Sequence, residues 1–194
     1  MAAPELSSTP TPRPGRRRAP GGNAAAALCA YAGIWAVTLV VAALVAAAGQ
    51  PASSLTRRVL GLRLSAQRNP PPQLGHILTL ATHNIPLAAW PLLLGVAGAD
   101  RGRRARLLAD GAVIAYILAN TVPVGAALGA YGTPLLAYLP QLPLEWAGLA
   151  LGVSSWLRQR RGSLTARERV RSLAAITGAL LCAALLEVVA IPHR

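Results

Sequence analysis

Five polar side chains of the sequence could do chemistry, and each interrupts a long apolar segment. They are His83 and Asn84, then Asn120, then Gln141 and Glu145. Such groups are costly at membrane depth, and they are typical of binding or proton-handling sites and of hydrogen bonds between helices. His83 and Glu145 could share a proton if they touched. The residues alone leave open whether the group binds or docks a partner or only holds helices together.

The segments around these residues have the length and composition of membrane spans. Hydrophobic residues make up 54% of the 194-residue chain and charged residues 13%, about half the usual charged fraction of ~25%. At ~1.5 Å per residue, each segment can cross the ~30 Å hydrocarbon core as a helix. We therefore predict an all-α, polytopic membrane bundle of about five helices, spanning 24–48, 74–98, 107–131, 133–157 and 170–191.

The predicted depth of the five polar residues is similar in three spans. At ~1.5 Å per residue, all of them fall within several ångströms of the bilayer midplane. We expect them to face one another, away from lipid. Gln141 and Glu145 are four residues apart, so an unbroken helix places them on one face.

Prolines inside three of the spans predict distortions of the helices. They are Pro86 and Pro91, Pro123, and Pro140 and Pro143. Each removes a helical hydrogen bond and favours a kink, which we expect in all three spans. The alternative for the fourth span is a complete break.

Arginine supplies every positive side chain, and its distribution predicts the orientation. Four arginines lie in the tail 1–22, four after the second span and six after the fourth, against five on the opposite side. The excess of basic residues on cytoplasmic loops predicts a cytoplasmic N-terminus, an extracellular C-terminus and a location in the cell membrane. Residues 1–22 are rich in Pro, Ser, Thr and Gly, which predicts that they form a disordered tail. For residues 50–73, the outer segment between the first and second spans, we predict an amphipathic helix that lies on the lipid headgroups. The alternative is a solvated basic loop.

Two further acidic residues lie nearer the span ends. Glu187 lies close to the outer end of the fifth span, and Asp110 close to the cytoplasmic end of the third. Surface pairing is expected for Asp110, and the basic residues within reach are Arg103, Arg104 and Arg106.

Recognisable catalytic, metal-binding and cofactor-binding motifs do not occur in the sequence. Cys29 and Cys182 stand alone inside apolar segments, which argues against a disulfide framework or zinc site. The absence of phenylalanine and the shortness of the polar segments argue against nucleic-acid binding despite a net charge of +13. The glycine pairs Gly125/Gly129 and Gly148/Gly152 have the spacing of closely packed helices.

Four short segments carry a resemblance to a known family. They are THNIPLA in the second span, Asp110-Gly111 in the third, LPQLPLEWAGLALG in the fourth and LLEVVAIP in the fifth. Their order resembles that of the stage II sporulation protein M (SpoIIM, DUF95) family, with Pro140 and Glu145 matching a Leu-Pro-His-Gly-x-x-Glu segment. Gln141 stands where the family has His, and Leu142 where it has Gly. Asp110 and Ile191 replace Asn and Thr.

The resemblance implies a bacterial membrane protein that works with other proteins. The family member of endospore formers anchors peptidoglycan-degrading partners, and others occur beside ABC-type ATPases in circular-bacteriocin systems. We therefore expect a non-catalytic membrane scaffold or subunit that docks protein partners, from a cell-wall hydrolase system or an ATPase complex, with a homo-oligomer possible. The alternative is a component of peptide or small-solute export or immunity that uses the polar residues. A remote alternative is an intramembrane enzyme with Glu145 and His83 as acid and base.

Overall fold

The computed structural model describes residues 22–61, 74–98, 102–162 and 164–190, and within them the only regular structure is helical. This confirms the predicted all-α class. The predicted tail up to residue 21 and the second half of the outer segment, 62–73, lie outside the described residues. The helices are α1 (Gly22–Ala47), α2 (Gly49–Leu60), α3 (Leu74–Gly98), α4 (Arg103–Tyr131), α5 (Thr133–Leu136), α6 (Leu142–Arg160) and α7 (Ala166–Ala190).

Four of these helices are long and apolar enough to cross a membrane: α1, α3, α4 and α7. Their mean hydropathies are 2.3, 1.4, 1.7 and 2.3. The fifth long helix, α6, has 19 residues and carries a glutamate, two serines and two arginines. It tolerates them because α1, α3 and α7 surround it, so much of its surface faces protein instead of lipid. The prediction of about five membrane helices therefore corresponds to four helices that lipid can surround and to α6, which α1, α3 and α7 enclose.

The fourth predicted span is broken, so the expectation of a simple kink is wrong there. After α5 the chain turns through residues 137–141, and α6 begins at Leu142. Pro143 lies in the first turn of α6, where its missing N–H removes no helical bond. The turn satisfies its own backbone, because the Leu142 N–H donates to the Leu139 carbonyl at 3.2 Å. By contrast, α3 and α4 continue through their prolines.

Aromatic and aliphatic side chains of α6 form the centre of the core. Trp146, Leu149, Val153 and Trp156 are all buried, and they recur at the three- and four-residue spacing of one helical stripe. Trp146 lies 4.7 Å from Trp35 of α1, measured between ring centroids. Burial of these large side chains makes α6 the helix against which α1, α3 and α7 pack.

Glycines allow two pairs of helix backbones to approach closely. A Cβ atom added at Gly125 or Gly129 of α4 would collide with the carbonyl oxygens of Thr38 and Ala42 on α1. A Cβ atom at Gly152 of α6 would collide with the carbonyl oxygen of Ala88 on α3. The close packing that the glycine spacing predicted is thus confirmed for Gly125, Gly129 and Gly152. Gly148 faces the Leu180 side chain of α7 instead, at 3.3 Å from its added Cβ.

Ion pairs collect at one end of the bundle, which we call the arginine-rich end. Arg160 at the end of α6 pairs with Asp110 of α4, and Arg158 pairs with Glu168 of α7. Glu168 also accepts hydrogen bonds from the backbone N–H and the hydroxyl of Thr165, each at 2.8 Å. Its own N–H donates to the Thr165 hydroxyl oxygen at 3.3 Å. This reciprocal arrangement is a capping box, and it fixes where α7 begins.

Helix α2 lies at the opposite end, against α1 and α4. The Arg57 guanidinium donates two hydrogen bonds to the Ala130 carbonyl, at 3.1 and 2.6 Å, and so caps the last turn of α4. Leu55 and Val59 are exposed on α2, at 59% and 74%. An amphipathic helix is therefore present over the first half of the predicted outer segment, and its contact with headgroups stays a prediction.

We expect Gly152→Ala to lower the free energy of unfolding in detergent by about 1–3 kcal/mol, because the added methyl group must push α6 away from α3. The measurement is thermal or SDS-induced unfolding of the purified protein. Gly178→Ala in α7 is the matched control, because nothing lies within 4 Å of its added Cβ. Equal destabilisation by both variants would contradict the close α3–α6 approach.

Candidate functional site

A cavity of about 80 Å³ lies between α3, α4, α6 and α7, and polar groups from three helices line it. We call it the polar cavity. Its polar lining consists of Asn84, Tyr116, Asn120 and Glu145. Its apolar wall is formed by Leu87, Ala88, Trp146, Leu149 and Leu180. The structure thus brings together three of the five polar residues singled out in the sequence.

The break before α6 explains why Glu145 reaches this cavity. Asn84 lies ten residues into α3 and Asn120 eleven residues before the end of α4, so both are ~15 Å from their helix ends. Glu145 shares their level although it lies in the first turn of α6. The chain between Tyr131 and Gln141 therefore runs into the bundle before α6 starts. As a result, the N-terminus of α6 lies inside the bundle, near the level of Asn84 and Asn120.

Hydrogen bonds in the polar cavity tie helices together. The Asn84 Nδ2 donates to Glu145 Oε1 at 3.4 Å, across the α3–α6 contact. This distance is longer than that of most hydrogen bonds, so the bond is weak. The Asn120 Nδ2 donates to the Tyr116 carbonyl of its own helix at 2.8 Å. Asn120 therefore shapes the cavity wall without bridging to another helix through that bond.

His83 does not face the polar cavity. Its side chain is exposed, whereas its neighbour Asn84 is partly buried and lines the cavity. Consecutive helical residues differ by about 100° around the axis, so one can turn inward while the next turns outward. The expectation that all five polar side chains face one another is wrong for His83. The acid–base pair of His83 and Glu145 is not assembled.

Gln141 also lies apart from the polar cavity. It is 8% exposed at the N-terminal boundary of α6, and its Nε2 donates to the Tyr138 carbonyl at 3.3 Å. It therefore stabilises the turn that precedes α6. The break lies before Gln141, because the Glu145 N–H donates to the Gln141 carbonyl at 3.1 Å in the first turn of α6. The predicted four-residue helical spacing of Gln141 and Glu145 is therefore kept, although Gln141 does not line the polar cavity.

Glu187 lies close enough to Glu145 for their charges to interact, and it also interacts with His76 of α3. The sequence placed Glu187 near the outer end of its span and did not connect it with the polar group. The structure thus adds Glu187 and Tyr116 to the neighbourhood of Glu145. A sequence signal existed for Tyr116, which precedes Asn120 by one helical turn.

Asp110 forms an ion pair with Arg160 of α6, a residue that the candidates Arg103, Arg104 and Arg106 did not include. Arg160 is fifty residues away along the chain, so helical spacing gave no indication of it. The capping box of Thr165 and Glu168 was also missed, although its Thr-x-x-Glu pattern before an apolar segment is a known signal.

The polar cavity offers a carboxylate and two carboxamides within an apolar surrounding. It has room for a few water molecules and for a small hydrogen-bond donor. In the part of the chain that the structure describes, no group of three or more His, Cys, Asp or Glu residues could hold a metal ion.

A double-mutant cycle of Asn84→Ala and Glu145→Ala should give a coupling energy of roughly 0.5 kcal/mol, because hydrogen bonds between membrane helices average about that value. The measurement is unfolding of the two single variants and the double variant in detergent. Thr79→Ala is the control partner for Glu145→Ala, since the Thr79 hydroxyl donates to the Gly75 carbonyl of its own helix at 2.8 Å. Full additivity of the Asn84 and Glu145 variants would show that the contact contributes nothing.

Comparisons with known proteins identify no relative of this chain. No protein-family model, no curated protein and no solved structure matches it. The SpoIIM resemblance therefore stays a prediction from four short segments. What is established is a multi-pass, all-helical membrane protein architecture with a polar cavity beside a broken helix.

Proposed function

We propose that the protein is a non-catalytic membrane subunit that docks another membrane protein against α3. The observation that carries this proposal is the exposure of a polar face on a membrane-spanning helix. The face consists of His76, Thr79, Thr82 and His83, all exposed, and we call it the α3 polar face. At 100° per residue the four side chains fall within a sector of about 120°.

The position of His83 makes this exposure costly in lipid. It lies nine residues after the start of α3, which is ~13 Å along the helix and near the middle of a ~30 Å core. The two threonines satisfy their hydroxyls within the helix, as Thr82 does by donating to the Leu78 carbonyl at 2.8 Å. An imidazole ring has no such local partner. Ionisable side chains at this depth almost always face protein or water.

A second protein with polar side chains on its own membrane helix would relieve this cost. Such a helix can donate to or accept from the imidazole while its small residues allow close approach. The SpoIIM resemblance supports partners of two kinds, a cell-wall hydrolase system or an ABC-type ATPase subunit. The expected place is the cell membrane, with the N-terminus and the arginine-rich end in the cytoplasm, because basic residues concentrate on that side.

His83→Leu should reduce association of the protein with its partner, because the variant removes the polar group that docking satisfies. The measurement is the mass of the complex extracted from native membranes in mild detergent, compared with the 20.0 kDa of one chain. We expect the wild-type protein to run as a larger complex and the variant to shift toward one chain. A complex of identical chains would identify the partner as a second copy.

Leu39→Ala is the matched control for this measurement, because Leu39 is 55% exposed on α1 and carries no polar group. It should leave the complex intact. A His83→Leu protein that forms the same complex as the wild type would contradict docking through the α3 polar face. So would a wild-type protein that is extracted only as single chains.

A second candidate function is favoured by the broken helix beside the polar cavity. Discontinuous helices that start at membrane depth form the substrate sites of many transporters, and α6 starts beside Glu145 in this way. The protein would then serve export of, or immunity to, a peptide or small solute, with a separate ATPase supplying energy.

Glu145→Gln should abolish that export or protection without lowering the amount of protein in the membrane, because it removes the carboxylate and keeps the side-chain size. The measurement is complementation of a strain that lacks the native gene, with membrane abundance followed by immunoblot. Full complementation by Glu145→Gln would contradict a transport role for this residue. Ser54→Ala on the exposed surface of α2 is a control for expression.

A further inference from the structure

A second, larger cavity lies at the arginine-rich end, with a volume of about 310 Å³. Three helices line it. From α6 come Leu151, Ser154, Ser155 and Arg158, and from α7 come Glu168, Arg171, Ser172 and Ala175. From α1 come Ala24 and Ala27.

The lining residues recur at helical spacing on each wall. Those of α6 follow the intervals 0, 3, 4 and 7, and those of α7 follow the same intervals. Each set therefore occupies one face of its helix. The α1 wall carries only alanines, and these small side chains leave the space open. The cavity is thus a continuous feature of three helix faces and not a gap at a loop.

The chemistry of the lining matches a phosphate group. Arg171 provides a guanidinium group, and Arg158 provides a second one that it shares with Glu168. Ser155 and Ser172 add hydroxyls that can donate hydrogen bonds, whereas the Ser154 hydroxyl donates to the Leu151 carbonyl of its own helix at 3.0 Å. Arginine is favoured for phosphate because its planar donors match the phosphate oxygens in pairs. Ser154 and Ser155 are 4% and 2% exposed, so the hydroxyl floor of the cavity is built into the core.

The acidic side chain in the cavity is already compensated. Glu168 pairs with Arg158 and accepts two hydrogen bonds from Thr165. Arg171 forms none of the ion pairs found among the described residues. The lining therefore carries a surplus positive charge centred on Arg171.

The position of the cavity points to a lipid as the source of the phosphate. Arg158 lies two residues before the end of α6, and Arg171 lies five residues into α7, so both fall at the level where a helix meets the headgroups. Leu28 is exposed at 66% one helical turn from Ala24 on α1, and it offers an apolar surface to an acyl chain. We propose that this cavity binds the phosphate of an anionic membrane-lipid headgroup between α1, α6 and α7. This inference is independent of the docking proposed for α3, because it uses other helices and other residues.

Arg171→Gln tests the site in the full-length protein after delipidation in detergent. Phosphatidylglycerol is added, and native mass spectrometry measures the fraction of protein that retains it. We expect the variant to retain this lipid about tenfold more weakly than the wild type, since a charge-assisted contact is lost. Phosphatidylcholine, whose headgroup is neutral overall, should be retained poorly by both proteins.

Arg167→Gln is the matched control, because Arg167 is exposed on the same helix but does not line the cavity. It removes the same charge and should leave lipid retention unchanged. Ala175→Leu is a second variant, which fills the cavity at an exposed position without changing charge, and it should also weaken retention. A circular dichroism spectrum with unchanged helix content shows that each variant is folded.

Three outcomes would overturn the proposal. One is equal retention of phosphatidylglycerol by the Arg171→Gln and Arg167→Gln proteins. Lipid retention would then depend on the overall surface charge and not on the cavity. Another is equal retention of the anionic and neutral lipids by the wild type. The third is that millimolar inorganic phosphate displaces the bound lipid and binds more tightly than phosphatidylglycerol. This result would assign the site to a soluble phosphate compound.

Discussion

The enclosure of α6 by α1, α3 and α7 is the constraint on which the rest of the structure depends. A helix surrounded by protein can carry groups that lipid would exclude, and α6 carries a glutamate, two serines and two terminal arginines. Both cavities open on its surface, one near its start and one near its end. The ion pairs to Asp110 and Glu168 hold its last turn to the neighbouring helices.

Backbone proximity makes that enclosure possible. Gly152 lets α6 approach the carbonyl of Ala88, while Gly125 and Gly129 bring α4 against α1. In a membrane there is no hydrophobic force between helices, so close van der Waals contact is a main source of their association. Polar bonds such as that between Asn84 and Glu145 add modestly to it. His83 is exposed and takes no part in these hydrogen bonds inside the bundle. For this reason the proposed docking uses the face of α3 on which His83 lies.

Much of the architecture could be predicted from the sequence, because helix formation in lipid depends on local composition. A run of apolar residues must satisfy its backbone within itself, so the segments now seen as α1, α3, α4 and α7 could be found from hydropathy alone. The depth of Asn84 and Asn120 also followed from counting residues along a helix, since the rise per residue is fixed. The capping box of Thr165 was visible in the sequence but was not used.

The sequence by itself therefore determined the four long apolar helices and how far Asn84 and Asn120 lie from the ends of theirs. Only the tertiary structure decided that Asn84 turns inward while His83 turns outward, that the fourth span breaks, and that Arg160 reaches Asp110. The physical reason is that rotation about a helix axis is set by the neighbours that pack against it. In a segment that is apolar on nearly every side, the sequence shows no preferred face, and contacts between distant residues supply that information.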